Sequence, residues 1–301
     1  NVQNATEAYE ALLEAAPDDE EAKTKLRELY LKRRAFAQLY SLYEREVASK
    51  KGAEKIELLA DMAKLAAERL DRGKDAIRLY KEILAAEPSR TDVLDALERQ
   101  AEREKDFASV IEALELRLTR ATDDAARIAI LQKLGTIAAE KLGDTDTAAR
   151  AFRRVLEIQP GHARALRILR DAYMAQGDFD AIEELYGSQN DWEGLAEVLS
   201  NAADRAESPE QKVELSFRAA RVFVDKLGSR ERAFRSYERI LSVRPNDRDA
   251  AEALVPLYEQ DGKWNRLPAL YEVLLEHAEG EDKLPLFERL VEVTGKRLND
   301  A

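Results

Sequence analysis

The sequence predicts an all-α fold, a solenoid in which antiparallel helix pairs stack one on the next. Three observations lead there. Apolar residues recur with a helical period throughout the 301 residues, and no segment alternates with the period of two that a half-buried strand requires. One pattern, Ala-x3-aromatic-x2-aliphatic-x4-Pro, occurs four times, at Ala5-Tyr9-Leu12-Pro17, Ala76-Tyr80-Ile83-Pro88, Ala148-Phe152-Val155-Pro160 and Ala233-Tyr237-Ile240-Pro245. Its prolines stand 71, 72 and 85 residues apart. Two leucine tracks keep the register: Leu26, Leu97, Leu169 and Leu254, then Leu70, Leu142, Leu227 and Leu298. The third observation is composition. Charged residues make up 36% and hydrophobic residues 45%, with only 12 Gly and 8 Pro to interrupt helices.

Taken in order, the period and its breakers predict helices over 4–16, 19–33, 35–50, 53–70, 73–86, 90–103, 106–121, 123–142 and 145–158. They continue over 162–176, 178–187, 191–206, 209–227, 230–243, 247–261, 263–278 and 281–298. In the helix over 73–86, Ala76, Ile77, Tyr80, Ile83 and Leu84 share one face. The small Ala admits a neighbouring helix closely, the aromatic fills the space one turn along, and the proline ends the segment. Leu142-Gly143-Asp144 and Leu227-Gly228-Ser229 read as stops, with Gly in a left-handed cap and Asp144 and Ser229 as the next N-caps. Pro256 lies inside its helix and predicts a bend, whereas Pro285 lies in a first turn, where proline is tolerated. No pair of these helices buries its apolar face alone, so stability is expected to be nearly one-dimensional along the stack.

The long step of 85 has a visible origin. Asp178-Phe179-x2-Ile182-x2-Leu185-Tyr186 is echoed by Asp191-Trp192-x2-Leu195-x2-Val198-Leu199, so the start of one helix is written twice. This predicts an extra short helix at about 178–187. The organisation expected is one array over 1–190, continued over 191–301 as a single solenoid. The chain starts without Met and stops directly after a helical segment, which reads as a piece of a longer protein.

The repeat of about 72 residues splits into halves of about 36. Leu166-x2-Leu169-x3-Tyr173-x3-Gly177-Asp178-Phe179-x2-Ile182 and Leu254-x3-Tyr258-x3-Gly262-Lys263-Trp264-x2-Leu267 represent the second half. With the Ala-aromatic-Pro helices, these residues resemble the tetratricopeptide repeat. The likeness spans essentially the whole chain and is weaker over Lys23–Val47 and Glu281–Leu298, which lack the Gly. The resemblance implies a right-handed superhelix, no catalysis, and a concave face that holds a peptide or protein partner. Carried over by register, that face includes Arg99, Arg103, Arg164, Arg167, Asp171, Met174, Phe217 and Arg221. Because the planar guanidinium fork suits carboxylates, an acidic partner segment is expected there. Some family members clamp a chaperone's terminal carboxylate with Asn. The matching positions here are Glu28, Lys64, Arg99, Thr136, Asp171, Arg221, Pro256 and Glu292, so that ligand is not expected.

Composition closes other routes. The chain has no Cys and two His, at 162 and 277, which excludes thiol chemistry and offers no His-rich metal centre. No cofactor is expected. Both histidines are expected to be exposed. Asp144-Thr145-Asp146 reads as a capped turn rather than a metal loop, and Gly262-Lys263 lacks the upstream Gly of a phosphate loop. Net charge is −12 and no third of the chain is basic, which argues against nucleic acid. No apolar run is long enough to span a membrane. Self-association through exposed repeat ends is a further possibility, because cut solenoids lack polar caps.

Overall fold

The structure is a computed structural model that describes residues 2–297. Leu298, the last member of the second leucine track, lies outside the described residues. Those residues form seventeen α-helices and no strand. The chain divides into two compact units, Asn1–Leu169 and Arg170–Ala301. The first holds α1 (Val2–Ala15), α2 (Glu20–Arg33), α3 (Phe36–Val47), α4 (Gly52–Glu68), α5 (Gly73–Ala86), α6 (Thr91–Glu104), α7 (Phe107–Arg120), α8 (Asp124–Ile137) and α9 (Thr145–Ile158). The division falls inside α10 (Ala163–Gln176). The second holds α11 (Phe179–Ser188), α12 (Trp192–Arg205), α13 (Pro209–Arg221), α14 (Arg230–Val243), α15 (Arg248–Gln260), α16 (Leu267–His277) and α17 (Lys283–Glu292). Within each unit, consecutive helices pack on one another, from α1 to α9 and from α11 to α17.

The repeated apolar pattern is the core. Ala76, Tyr80 and Ile83 on α5, Ala148, Phe152 and Val155 on α9, and Ala233, Tyr237 and Ile240 on α14 are all buried. Removing a large apolar side chain of this kind from water contributes about 1.5–3 kcal/mol. Each of these helices packs closely on the long helix before it: α4 on α5, α8 on α9, α13 on α14. The first copy differs. Ala5 and Tyr9 on α1 are only half-buried, and Leu12 is 40% exposed.

The turns repeat as regularly as the core. After α8 a π-helical turn covers Ala138–Leu142, and after α13 another covers Val222–Lys226. Gly143 and Gly228 then take left-handed φ of 66° and 59°, as their place in the sequence predicts. The N–H of Asp144 reaches back to the Ala138 carbonyl at 2.9 Å, and that of Ser229 to the Phe223 carbonyl at 2.8 Å. After α4 the same closure runs from Arg72 to Ala66 at 3.0 Å, with Asp71 at φ 52° standing where the others have Gly. Asp144 caps α9, accepting from the Thr147 N–H at 2.9 Å. Ser229 occupies the matching position but does not cap α14, because its hydroxyl accepts Arg232 Nε at 2.9 Å instead.

Two boundaries differ from expectation, for one reason. The segment expected as a helix over 263–278 starts with a 3-10 turn, Trp264–Arg266, before α16, and Pro268 sits in the first turn of α16. The segment over 281–298 follows the same plan, with a 3-10 turn at Gly280–Asp282, then α17 with Pro285 in its first turn, then a π turn at Val293–Arg297. A proline without an N–H fits the start of a helix, so each helix begins beside its proline. Pro256, by contrast, lies inside α15, which continues through it.

Candidate partner-binding site

In the second unit the end of α10 delivers Arg170, Asp171 and Met174 to a cleft completed by Phe179, by Val198, Asn201, Ala202 and Arg205 of α12, and by Gln211 and Leu215 of α13. The floor is apolar, since Phe179, Ala202 and Leu215 are buried. Arg170 is held in place, donating to Asp171 Oδ1 from Nε at 3.0 Å and from Nη2 at 2.7 Å. It also bonds the Tyr186 phenol, whose pKa burial raises against the opposing pull of Arg170. Arg205 is exposed on the rim and forms no ion pair among the described residues. The cleft therefore offers an apolar floor, two amide side chains and an unpaired guanidinium.

A second cleft in this unit is lined by Asp180 and Glu183 of α11 with Glu214, Phe217, Arg218 and Arg221 of α13. Arg218 is its hub, donating to Asp180 at 2.6 Å, Glu183 at 2.9 Å and Glu214 at 3.0 Å. Burial disfavours the Arg218 charge, but the three carboxylates outweigh it and its pKa is raised. Phe217 meets Tyr237 edge-on at 6.1 Å between ring centres, which leaves it half-buried. Arg221 is exposed.

Two pairs of the eight residues expected on one face share a cleft. Asp171 and Met174 share the first cleft, and Phe217 and Arg221 share the second. Arg99 and Arg103 on α6, and Arg164 and Arg167 on α10, belong to the first unit, and all four are exposed. Arg103 is already engaged by Asp71 at 3.1 Å, and Arg164 donates to the Thr136 hydroxyl at 3.4 Å. Arg99 and Arg167 form no ion pair among the described residues. Sequence reasoning missed Arg205 and Arg218. The Glu214–Arg218 spacing of four was a readable signal for the second.

The histidines need one correction. His162 is half-buried rather than exposed, because its ring caps α10: Nδ1 accepts the Ala165 N–H at 3.2 Å and Nε2 meets Gln132 at 2.9 Å. His277 is exposed, with Nε2 at 2.7 Å from the Asn246 carbonyl. Among the described residues no three His, Cys, Asp or Glu side chains cluster so as to hold a metal, and no helix is long and apolar enough to cross a membrane.

The family model described as tetratricopeptide repeat matches residues 139–190. Searching proteins of curated function finds no match. Among solved structures, the C-terminal part of a TPR repeat-containing protein from Cytophaga hutchinsonii is 20% identical, with 84% of this chain and 95% of that chain covered and a TM-score of 0.30. MamA is 18% identical, with 55% and 92% covered and a TM-score of 0.30. A tetratricopeptide repeat protein from Parabacteroides merdae is 12% identical, with 96% and 99% covered and a TM-score of 0.30. Residues 139–190 thus match the tetratricopeptide repeat, and helices carrying the same repeated pattern pack consecutively within each unit.

Proposed function

We propose that the chain is a noncatalytic scaffold that binds a protein or peptide partner, with an extended segment carrying an apolar and an acidic side chain as its ligand. One observation carries this reading: the cleft of the second unit combines the buried Phe179, Ala202 and Leu215 with Arg205, a guanidinium that no carboxylate of the described residues neutralises. Arg170 is excluded from that role by its own bonds to Asp171. Rigid helices hold these groups before any partner arrives, so little ordering entropy opposes binding. Exposed Arg167 and Arg221 support the preference for acid in the same way.

The test is selection from a displayed random-peptide library on the immobilised chain, followed by titration calorimetry with the winning peptide. The expected winner pairs Asp or Glu with an apolar residue, and Arg205→Glu weakens it at least tenfold, the equivalent of about 1.4 kcal/mol. Arg103→Glu, at a guanidinium that Asp71 already occupies, leaves it unchanged. Winners without acid, or binding indifferent to Arg205→Glu, would refute the reading. Arg164→Glu with Arg167→Glu applies the same question to the first unit. A second reading, self-association through the repeat ends, is favoured by the uncovered apolar residues of α1 and α17.

A further inference from the structure

We infer that the extra helix α11 is what opens the partner cleft of the second unit, and that the first unit carries the same place closed, so the chain takes one partner segment there; this rests on the scaffold reading above. Register locates the counterpart. Leu97 and Leu169 stand 72 residues apart, so α6 corresponds to α10, and Glu98 and Glu102 correspond to Arg170 and Met174. Asp106 and Asp191 stand 85 apart, as do Leu142 and Leu227, so α7 corresponds to α12 and α8 to α13. Arg117 then answers to Ala202, Arg120 to Arg205 and Lys133 to Arg218. In the first unit these counterparts are tied together by charge. Lys133 reaches from α8 to α6, 2.7 Å from both Glu98 and Glu102. Arg117 reaches from α7 to the same helix, 2.6 Å from Glu98 and 2.7 Å from Asp95. Glu98, enclosed by the two cations, keeps only 14% of its side chain exposed.

In the second unit every part of that closure is changed. Ala202 has no charge to reach across with, and Arg170 and Met174 offer α13 no carboxylate. Arg218, in the place of Lys133, is bonded instead to α11, through Asp180 at 2.6 Å and Glu183 at 2.9 Å. The duplicated helix thus takes up the bonds that α6 gives to α8, and the end of α10 is left to line a cleft. It also supplies part of the floor, because Phe179, next to Asp180, is buried there. The duplicate stops short of closing the place again: counted along α11, the counterpart of Arg117 is Gln189, one residue past the helix end at Ser188. Charge then decides the occupant. Arg170 is held by Asp171 and Arg218 by its three acids, whereas Arg205 forms no ion pair among the described residues. A segment with an acidic and an apolar side chain complements that guanidinium and the floor beside it.

Calorimetric titration of the selected acidic, apolar peptide into three chains tests this. The parent should bind one peptide per chain. Deleting 179–191 joins Asp178 to Trp192, which keeps an Asp in the capping position and returns the step of 85 to 72. That chain should keep its helical circular dichroism and lose affinity by about tenfold or more. Asp180→Lys with Glu183→Lys alters two side chains outside the cleft and frees α11 from Arg218. Its affinity should also fall by about tenfold or more. Added positive charge by itself favours an acidic peptide, so a loss reads the displacement of α11. Should the deletion fail to fold, the double substitution decides. A folded deletion or a double substitution that binds as tightly as the parent, or two peptides on each parent chain, would overturn the inference and leave the scaffold reading standing. A parent that takes up no such peptide would overturn both.

Discussion

Gly135→Ala sets two opposed effects against each other, and the geometry decides between them. In an open helix the change is stabilising by about 1 kcal/mol, because Gly loses more backbone entropy than Ala. Here the added methyl would lie 2.7 Å from Phe152 Cε2 and 3.1 Å from Cδ2 and Cζ. The obstacle is a rigid ring in a site that leaves it 1% exposed, so it has no solvent into which to swing. Overpacking of this kind costs about 1–3 kcal/mol, which exceeds the propensity gain and leaves a net loss on the order of 1 kcal/mol. Urea unfolding followed by circular dichroism reads that loss, and amide exchange in α8 and α9 locates it. The decisive comparison uses Phe152→Leu. In that background the smaller side chain makes room, and Gly135→Ala should become neutral or stabilising, a coupling of about 1 kcal/mol or more. A Gly135→Ala variant more stable than the parent, or an equal loss in both backgrounds, would refute the reasoning.

Two further outcomes follow from the turns and the charge networks. Lys105 ends α6 with φ 56°, a left-handed conformation that strains any side chain, so Lys105→Gly should raise stability by about 0.5–1 kcal/mol in urea unfolding. Glu98 accepts from Lys133 Nζ at 2.7 Å and Arg117 Nη2 at 2.6 Å. Burial pushes its carboxyl up, but these two cations outweigh burial and hold it below the usual carboxylate range. A depressed folded-state pKa stabilises above the unfolded value and fades as pH falls through the folded one. Glu98→Gln should therefore cost about 1–3 kcal/mol at neutral pH, and that difference should shrink steadily in acid below the usual carboxylate range.

How much of this was legible before coordinates turns on where each signal lies along the chain. Helix pairs, their order and the glycine turns at 143, 177, 228 and 262 were readable, because period and φ preference are local properties. The turns at Arg34 and Lys105 were not, since neither residue advertises a left-handed conformation. Yet the chain closes there just as at Gly177: Ala35 N–H meets the Tyr30 carbonyl at 2.9 Å and Asp106 N–H the Ala101 carbonyl at 2.9 Å, against 3.0 Å from Asp178 to Tyr173. The site follows the same rule. Register put Asp171 beside Met174 and Phe217 beside Arg221. It could not show that Arg218 collects Asp180 and Glu183 from a helix 38 and 35 residues away. Nor could it show that Arg205 is unpaired, which is a property of everything around it.

The doubled helix start has a consequence for how such a protein lengthens. Asp178 accepts the N–H of Ala181 at 3.0 Å, and Asp191 that of Gly194 at 2.9 Å. Each copy of the duplicated stretch thus arrives with its own donor-satisfying oxygen three residues ahead of the group that needs it. A segment copied in frame therefore brings one of the bonds that its helix start needs. A chain lengthened by one such copy starts its added helix with that cap already in place.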